Sequence, residues 1–208
     1  MGGGRDGDDV DPGGARLGIL GGTFDPVHVG HLVAATRARE ALGLDGVLLV
    51  VANVPWQKAG TRSVTPAEAR FEVVAAAVAG VEGLEASRLE IDRGGPSYTA
   101  DTVAELATLR PGAAPFVIVG ADVAAELDTW HRVDELRRAA TLVMVDRGGR
   151  APEHDPPGWR VERVSIPALD ISSSDLRHRL ARGLSVDFLI PDAAIRCIRR
   201  LDLYADSR

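Results

Sequence analysis

Two kinds of apolar pattern alternate along the chain. Short unbroken runs, Leu17-Gly18-Ile19-Leu20, Val47-Leu48-Leu49-Val50-Val51, Phe116-Val117-Ile118-Val119 and Leu142-Val143-Met144-Val145, read as strands covered on both faces. Between them, apolar positions return at helical spacing. Leu32, Ala35, Ala38 and Leu42 mark a first helix that Gly43 stops. Thr65-Pro66-Ala67-Glu68 has the form of a capping box with proline at the first helical position, so a helix is expected over 66–78, with Arg70 in a surface ion pair. A further helix opens at Tyr98 and turns Val103, Leu106 and Leu109 inward, and another covers 133–140. Residues 84–91 alternate loosely as a third strand, and 160–166 supply a sixth. Strands and helices in this order predict an α/β fold with a doubly wound parallel sheet and right-handed crossovers. From about residue 171 the pattern changes to a small C-terminal helical part: one helix opened by Ser172-Ser173-Ser174 and closed by Gly183, and a last one from Pro191 to about Leu201.

Two segments stand outside the periodic pattern. Residues 1–14 are glycine and aspartate with almost nothing apolar, and are expected as a flexible tail before one domain over 15–208. They carry neither the apolar core of a secretory signal nor a basic arm. Residues 52–64, with Pro55-Trp56-Gln57-Lys58, form an aperiodic loop after the second strand, which sets Lys58 at the carboxyl edge of the sheet.

Composition narrows the function. With 208 residues, 45% of them hydrophobic, the chain can bury a sizeable core. No apolar run reaches the roughly 18 to 20 residues of a membrane span. A formal charge of -6 provides no basic field for nucleic acid, so any anionic substrate must be held by local donors. The single cysteine, Cys197, excludes an intrachain disulfide, suits a cytoplasmic setting, and reads as a small buried hydrophobe on the last helix. The composition leaves room for a homo-oligomer.

The chemistry-bearing residues sit just after strands, where open α/β sheets bind ligands. Gly21-Gly22-Thr23-Phe24-Asp25-Pro26-Val27-His28-Val29-Gly30-His31 links the first strand to the first helix. Its glycines are expected to take unusual dihedrals and let a phosphate approach backbone N–H groups. If the helix begins near Val27, His28 and His31 share one face of its first turn, beside the positive end of the dipole. A metal set of Asp25, His28 and His31 is the weaker alternative, because no third strong ligand is spaced with the histidines. Ser172-Ser173-Ser174 offers more hydroxyls than one helix start needs, with Arg177 one turn further on, and makes a second anion site. Gly120-Ala121-Asp122 follows the fourth strand, with Trp130-His131 beyond it. Gly18, Gly21 and Gly22 are not spaced as G-x-G-x-x-G, no G-x-x-x-x-G-K-[ST] occurs, and Gly95-Pro96-Ser97-Tyr98-Thr99 is not a nucleophile elbow.

The stretch from Gly21 to His31 resembles the HxGH signature of a nucleotidyltransferase superfamily, and Ile171-Ser172-Ser173-Ser174-Asp175-Leu176-Arg177 resembles its second signature, ISSTxIR. Gly95-Pro96-Ser97-Tyr98-Thr99-Ala100-Asp101-Thr102, Gly120-Ala121-Asp122 and Trp130-His131 are together similar to the bacterial nicotinate-nucleotide adenylyltransferases. The resemblance extends in order from about Leu17 to Tyr204. It implies a Rossmann-like nucleotidyltransferase fold and adenylyl transfer from ATP to nicotinate mononucleotide, giving nicotinate adenine dinucleotide and pyrophosphate in NAD synthesis. Nicotinamide mononucleotide or phosphopantetheine as acceptor, and a nucleotide-sensing protein of the same fold, are the alternatives.

By this resemblance His28, His31, Lys58 and Arg177 are the catalytic residues. Gly21, Gly22, Thr23, Phe24, His28, His31, Asp122, Ile171, Ser173, Ser174 and Arg177 would bind ATP, with Gly22, Thr23 and Phe24 giving backbone N–H groups. Tyr98, Thr99, Trp130, His131 and Lys58 would receive nicotinate mononucleotide: Trp130 stacking on the ring, Thr99 and His131 offering N–H groups to its carboxylate, Asp122 accepting from a ribose hydroxyl. Two departures stand out. Gln57 replaces the histidine of the usual P-P-H-K loop, and Ser174 replaces a threonine. Magnesium is expected on the ATP phosphates with no dedicated protein ligands.

Overall fold

A computed structural model describes residues 14–55, 64–147 and 154–205. Six strands, β1 (Arg16–Gly22), β2 (Gly46–Val51), β3 (Leu84–Ser87), β4 (Ala114–Gly120), β5 (Thr141–Arg147) and β6 (Val161–Ile166), make one parallel sheet in the order β3-β2-β1-β4-β5-β6. The helices are α1 (Val29–Leu42), α2 (Ala67–Val78), α3 (Leu89–Arg93), α4 (Thr99–Leu109), α5 (Val133–Ala139), α6 (Ser173–Ala181) and α7 (Asp192–Arg200), with a 3-10 segment over Ala121–Thr129. No helix among the described residues is long and apolar enough to cross a membrane.

The central strands bury both faces, and their successive residues divide between two cores, while the edge strand β6 buries Val164 and Ile166 and exposes Arg163 and Ser165. Leu20, Ile118, Val143 and Val145 meet α1, α2, α6 and α7 on one side, while Ile19, Val117, Val119, Leu142 and Met144 meet α4, α5 and the 3-10 segment on the other. Strand order reverses between β1 and β4, so a crevice opens beyond their carboxyl ends, where the two chain directions diverge. Cys197 is buried on α7 as expected, and Gly43 ends α1 in the left-handed conformation.

Several local expectations fail for tertiary reasons. The third strand stops at Ser87, and Leu89–Arg93 is helical, with Glu90 turned into the interior. Thr65 does not cap α2; Pro66 holds the cap position, the Thr65 carbonyl accepts from Arg70, and Glu68 is taken by Arg88 in two bonds of 2.6 and 2.9 Å. Leu109, in the last turn of α4, is exposed, while Val103 and Leu106 are buried as expected. The 3-10 segment after β4 has no counterpart in the apolar pattern. Residues 1–13 of the expected tail, and Trp56, Gln57 and Lys58 of the expected loop, lie outside the described residues.

Candidate active site

The turn after β1 is built from its carbonyls outward. The Thr23 oxygen accepts from Arg70 Nη1 at 2.7 Å, the Asp25 oxygen from Arg177 Nη1 at 2.6 Å, and the Pro26 oxygen from Ser173 Oγ at 2.9 Å. The donors come from α2 and α6, 47, 152 and 147 residues away in sequence. Asp25 itself is buried, and its carboxylate accepts from the Tyr204 hydroxyl at 2.8 Å. Burial, reinforced by the Asp25 charge, pushes the Tyr204 hydroxyl well above its ordinary value, so it stays protonated as donor. Among these groups, Ser172 does the capping of α6, accepting from the Asp175 N–H, while Ser174 accepts from Arg177 Nη2 at 3.0 Å. Ser173 thus docks α6 against the first turn, while Ser174 braces Arg177 within the helix.

Gly22 and Gly30 serve close approach, a Cβ on Gly21 would meet open space, and neither Gly21 nor Gly22 has a positive φ. The left-handed residue is Phe24, with φ 47°. A Cβ on Gly22 would stand 2.9 Å from the Phe24 ring, and one on Gly30 would stand 3.1 Å from the His28 ring. Gly30 thus lets a histidine lie flat against the start of α1.

His28 is the N-cap of α1 in extended conformation, and the helix begins at Val29, two residues later than expected. The two imidazoles stack at 3.7 Å and 27°. His28 N–H donates to His31 Nδ1 at 3.2 Å, which leaves Nε2 as the protonated nitrogen of a neutral His31. His28 is 4% exposed and lies behind, whereas His31 faces a cleft of about 440 Å³.

That cleft gathers most of the expected site. Gly21, Gly22, Thr23, Phe24, His31 and Ser173 line one end, and Tyr98, Thr99, Trp130 and His131 the other. Ile171 packs against the core, while Ser174 and Arg177 stand behind the turn. The side chain of Asp122, like Lys58, lies outside the described residues. At the second end the ring of Tyr98 lies 4.3 Å from that of His131, and Arg132, with φ 53°, reaches back to Asp101 at 2.7 Å and to Glu135. Asp101, in the first turn of α4, is thereby paired with a guanidinium. Among the described residues no three His, Cys, Asp or Glu gather as a metal set.

Sequence reasoning missed three residues of this assembly. Arg70 is 1% exposed and donates bonds of 2.7 to 3.2 Å to the carbonyls of Thr65, Thr23, Ala52 and Asn53, which overturns its expected surface role. The signal was present: Arg70, Val73, Val74, Ala77 and Val78 recur at helical spacing as the buried face of α2. Glu90 is a buried wall of the cleft, accepting from Thr102 Oγ1 at 2.7 Å, and Tyr204 backs the turn after β1 through Asp25. No local pattern marks either.

A family model described as Cytidylyltransferase-like matches residues 19–179. A protein of Saccharopolyspora erythraea named "Probable nicotinate-nucleotide adenylyltransferase" is 45% identical over 191 residues, which cover 91% of this chain and 89% of that protein. One of the same name from Thermus thermophilus is 44% identical over 189 residues, 91% and 99% of the two chains. In three dimensions the nicotinic acid mononucleotide adenylyltransferase of Plasmodium falciparum, complexed with NaAD, aligns with a TM-score of 0.76 at 19% identity, over 91% of this chain and 97% of that one. At that identity the likeness speaks for the fold.

Proposed function

The chain belongs to the nicotinate-nucleotide adenylyltransferase family, and on that premise we propose that its cleft joins ATP to nicotinate mononucleotide across His31. The observation that carries the reading is the gathering of Gly21–Phe24, His31 and Ser173 at one end of a single cleft, with Tyr98, Thr99, Trp130 and His131 at the other. A polyphosphate suits the first end, where backbone amides and the start of α1 provide donors. A flat anionic ring suits the second, where Trp130 provides a face and the start of α4 provides N–H groups.

A phosphate oxygen of the mononucleotide attacks the α-phosphorus of ATP, the bond to the bridging oxygen breaks, and pyrophosphate leaves. The attacking oxygen is already ionised near neutral pH, so the step needs no general base. Catalysis rests on alignment and on donors aimed at developing charge. His31 Nε2 serves at the reacting phosphate, with His28 stacked behind it to fix the ring. Arg177 holds the turn in place and adds positive potential from behind. Magnesium would be carried on the ATP oxygens, where it would offset phosphate charge. A reducing, cytoplasmic compartment agrees with the lone buried Cys197.

The test is pyrophosphate release from ATP with nicotinate mononucleotide, nicotinamide mononucleotide or phosphopantetheine, each with magnesium and with chelator. The nicotinate form is expected to be turned over fastest and only with magnesium. Preference for another acceptor sinks the specificity assignment, and release unaffected by chelator sinks the role of the metal.

A further inference from the structure

The reaction outlined above makes no use of Arg70, although burying a guanidinium is costly unless its donors are met. Here they are met by main-chain oxygens from three places: the turn after β1 (Thr23), the end of β2 (Ala52 and Asn53) and the lead-in to α2 (Thr65). We infer that Arg70 is a positioning residue for the transfer step, fixing the Thr23–Phe24 peptide so that its N–H faces the phosphate and tying that peptide to the opposite wall of the cleft. The inference rests on the functional reading of the cleft given above.

Three observations support it. In a trans peptide the C=O and N–H point to opposite sides, so a Thr23 oxygen drawn 2.7 Å from Arg70 sends the Phe24 N–H the other way, on the side where Thr23 and Phe24 border the cleft. Phe24 is held at φ 47°, a conformation that L residues leave unless their surroundings insist on it. The same guanidinium grips Asn53, whose N–H donates to Ser97 Oγ at 2.8 Å and whose amide donates to the Gly95 oxygen at 3.0 Å, so the Ser97-Tyr98-Thr99 wall is registered against the phosphate turn. A lysine could satisfy part of this set but lacks the planar fork that reaches three segments at once.

The experiment compares wild type, Arg70→Lys and Arg70→Met in pyrophosphate release, with circular dichroism and thermal melts on the same samples. It is joined by a protein in which Phe24 is replaced by its α-hydroxy analogue, which deletes the N–H and leaves Arg70 intact. For Arg70→Lys, folded at the assay temperature, kcat is expected to fall by about 30- to 100-fold, with KM for nicotinate mononucleotide within about threefold of wild type. The ester variant should lose kcat on the same scale. The α-phosphorus resonance of bound α,β-methylene-ATP should move in both. A folded Arg70→Lys with kcat within threefold of wild type overturns the assignment, and so does an ester variant with unchanged kcat, even if both Arg70 variants fail to fold. A wild type that releases no pyrophosphate overturns the functional reading and the assignment with it.

Discussion

The two ends of the cleft are held by different physics. At the phosphate end, the turn from Thr23 to Pro26 is gripped through its carbonyls by Arg70, Arg177 and Ser173, and through the Asp25 carboxylate by Tyr204, with Arg70 and Asp25 buried and the other three half-buried. At the ring end, Trp130 and His131 are tied to α4 by the contact between the Tyr98 and His131 rings and by the Arg132–Asp101 pair, whose side chains are 39% and 28% exposed. Buried charge-assisted bonds are strong and costly to break, while exposed pairs are screened and loose. In-line transfer at a phosphorus demands one alignment, so rigidity there serves the step. The acceptor must enter and leave, and the lighter fastening leaves that wall able to adjust.

This contrast can be broken or sharpened by substitution, beginning with the largest effect. His31→Ala removes the donor facing the cleft and should lower kcat for pyrophosphate release by about 10² to 10³, with circular dichroism unchanged. An unaltered rate would end its catalytic role. Arg177→Ala deprives the Asp25 oxygen and Ser174 of their donor and should cost about 2 kcal/mol in urea unfolding; a loss under 0.5 kcal/mol would show the turn is held without it.

At the other end, Trp130→Ala should raise KM for nicotinate mononucleotide about tenfold and leave KM for ATP within about twofold, in keeping with the worth of one aromatic stack. Equal rises for both substrates would erase the division between the two ends. The smallest effect is a pH dependence. Tyr204 has its folded value raised above the ordinary 10.0 of the free group, so its contribution is complete below pH 10 and declines as pH climbs through the raised value, because only the unfolded chain ionises readily. Wild type should exceed Tyr204→Phe by about 1 kcal/mol at pH 8, and the gap should shrink above pH 10. A gap constant to pH 11 would contradict a buried, protonated hydroxyl.

By itself the sequence determined the parallel sheet and most of its helices, because strands buried on both faces and amphipathic helices leave periods that need no partner to be recognised. It also determined which segments meet: Gly21 to His31, Ser172 to Arg177, Tyr98-Thr99 and Trp130-His131 carry residue types whose chemistry is local, and all four border or back one cleft. What it could not determine was direction. Whether Arg70 faces water or the core, whether the spare serines await a ligand or dock a helix, and which of two histidines meets the cleft depend on atoms brought from 47 to 152 residues away. Glu90 looked like part of a strand because loose alternation over 84–91 fits either period, and only the packing of Leu89–Arg93 against β2 made it a wall of the site. A charged side chain reads as solvated until the tertiary fold surrounds it with carbonyls. The fold's most consequential choice, the buried grip of Arg70 on two strand ends and the lead-in to α2, was made there.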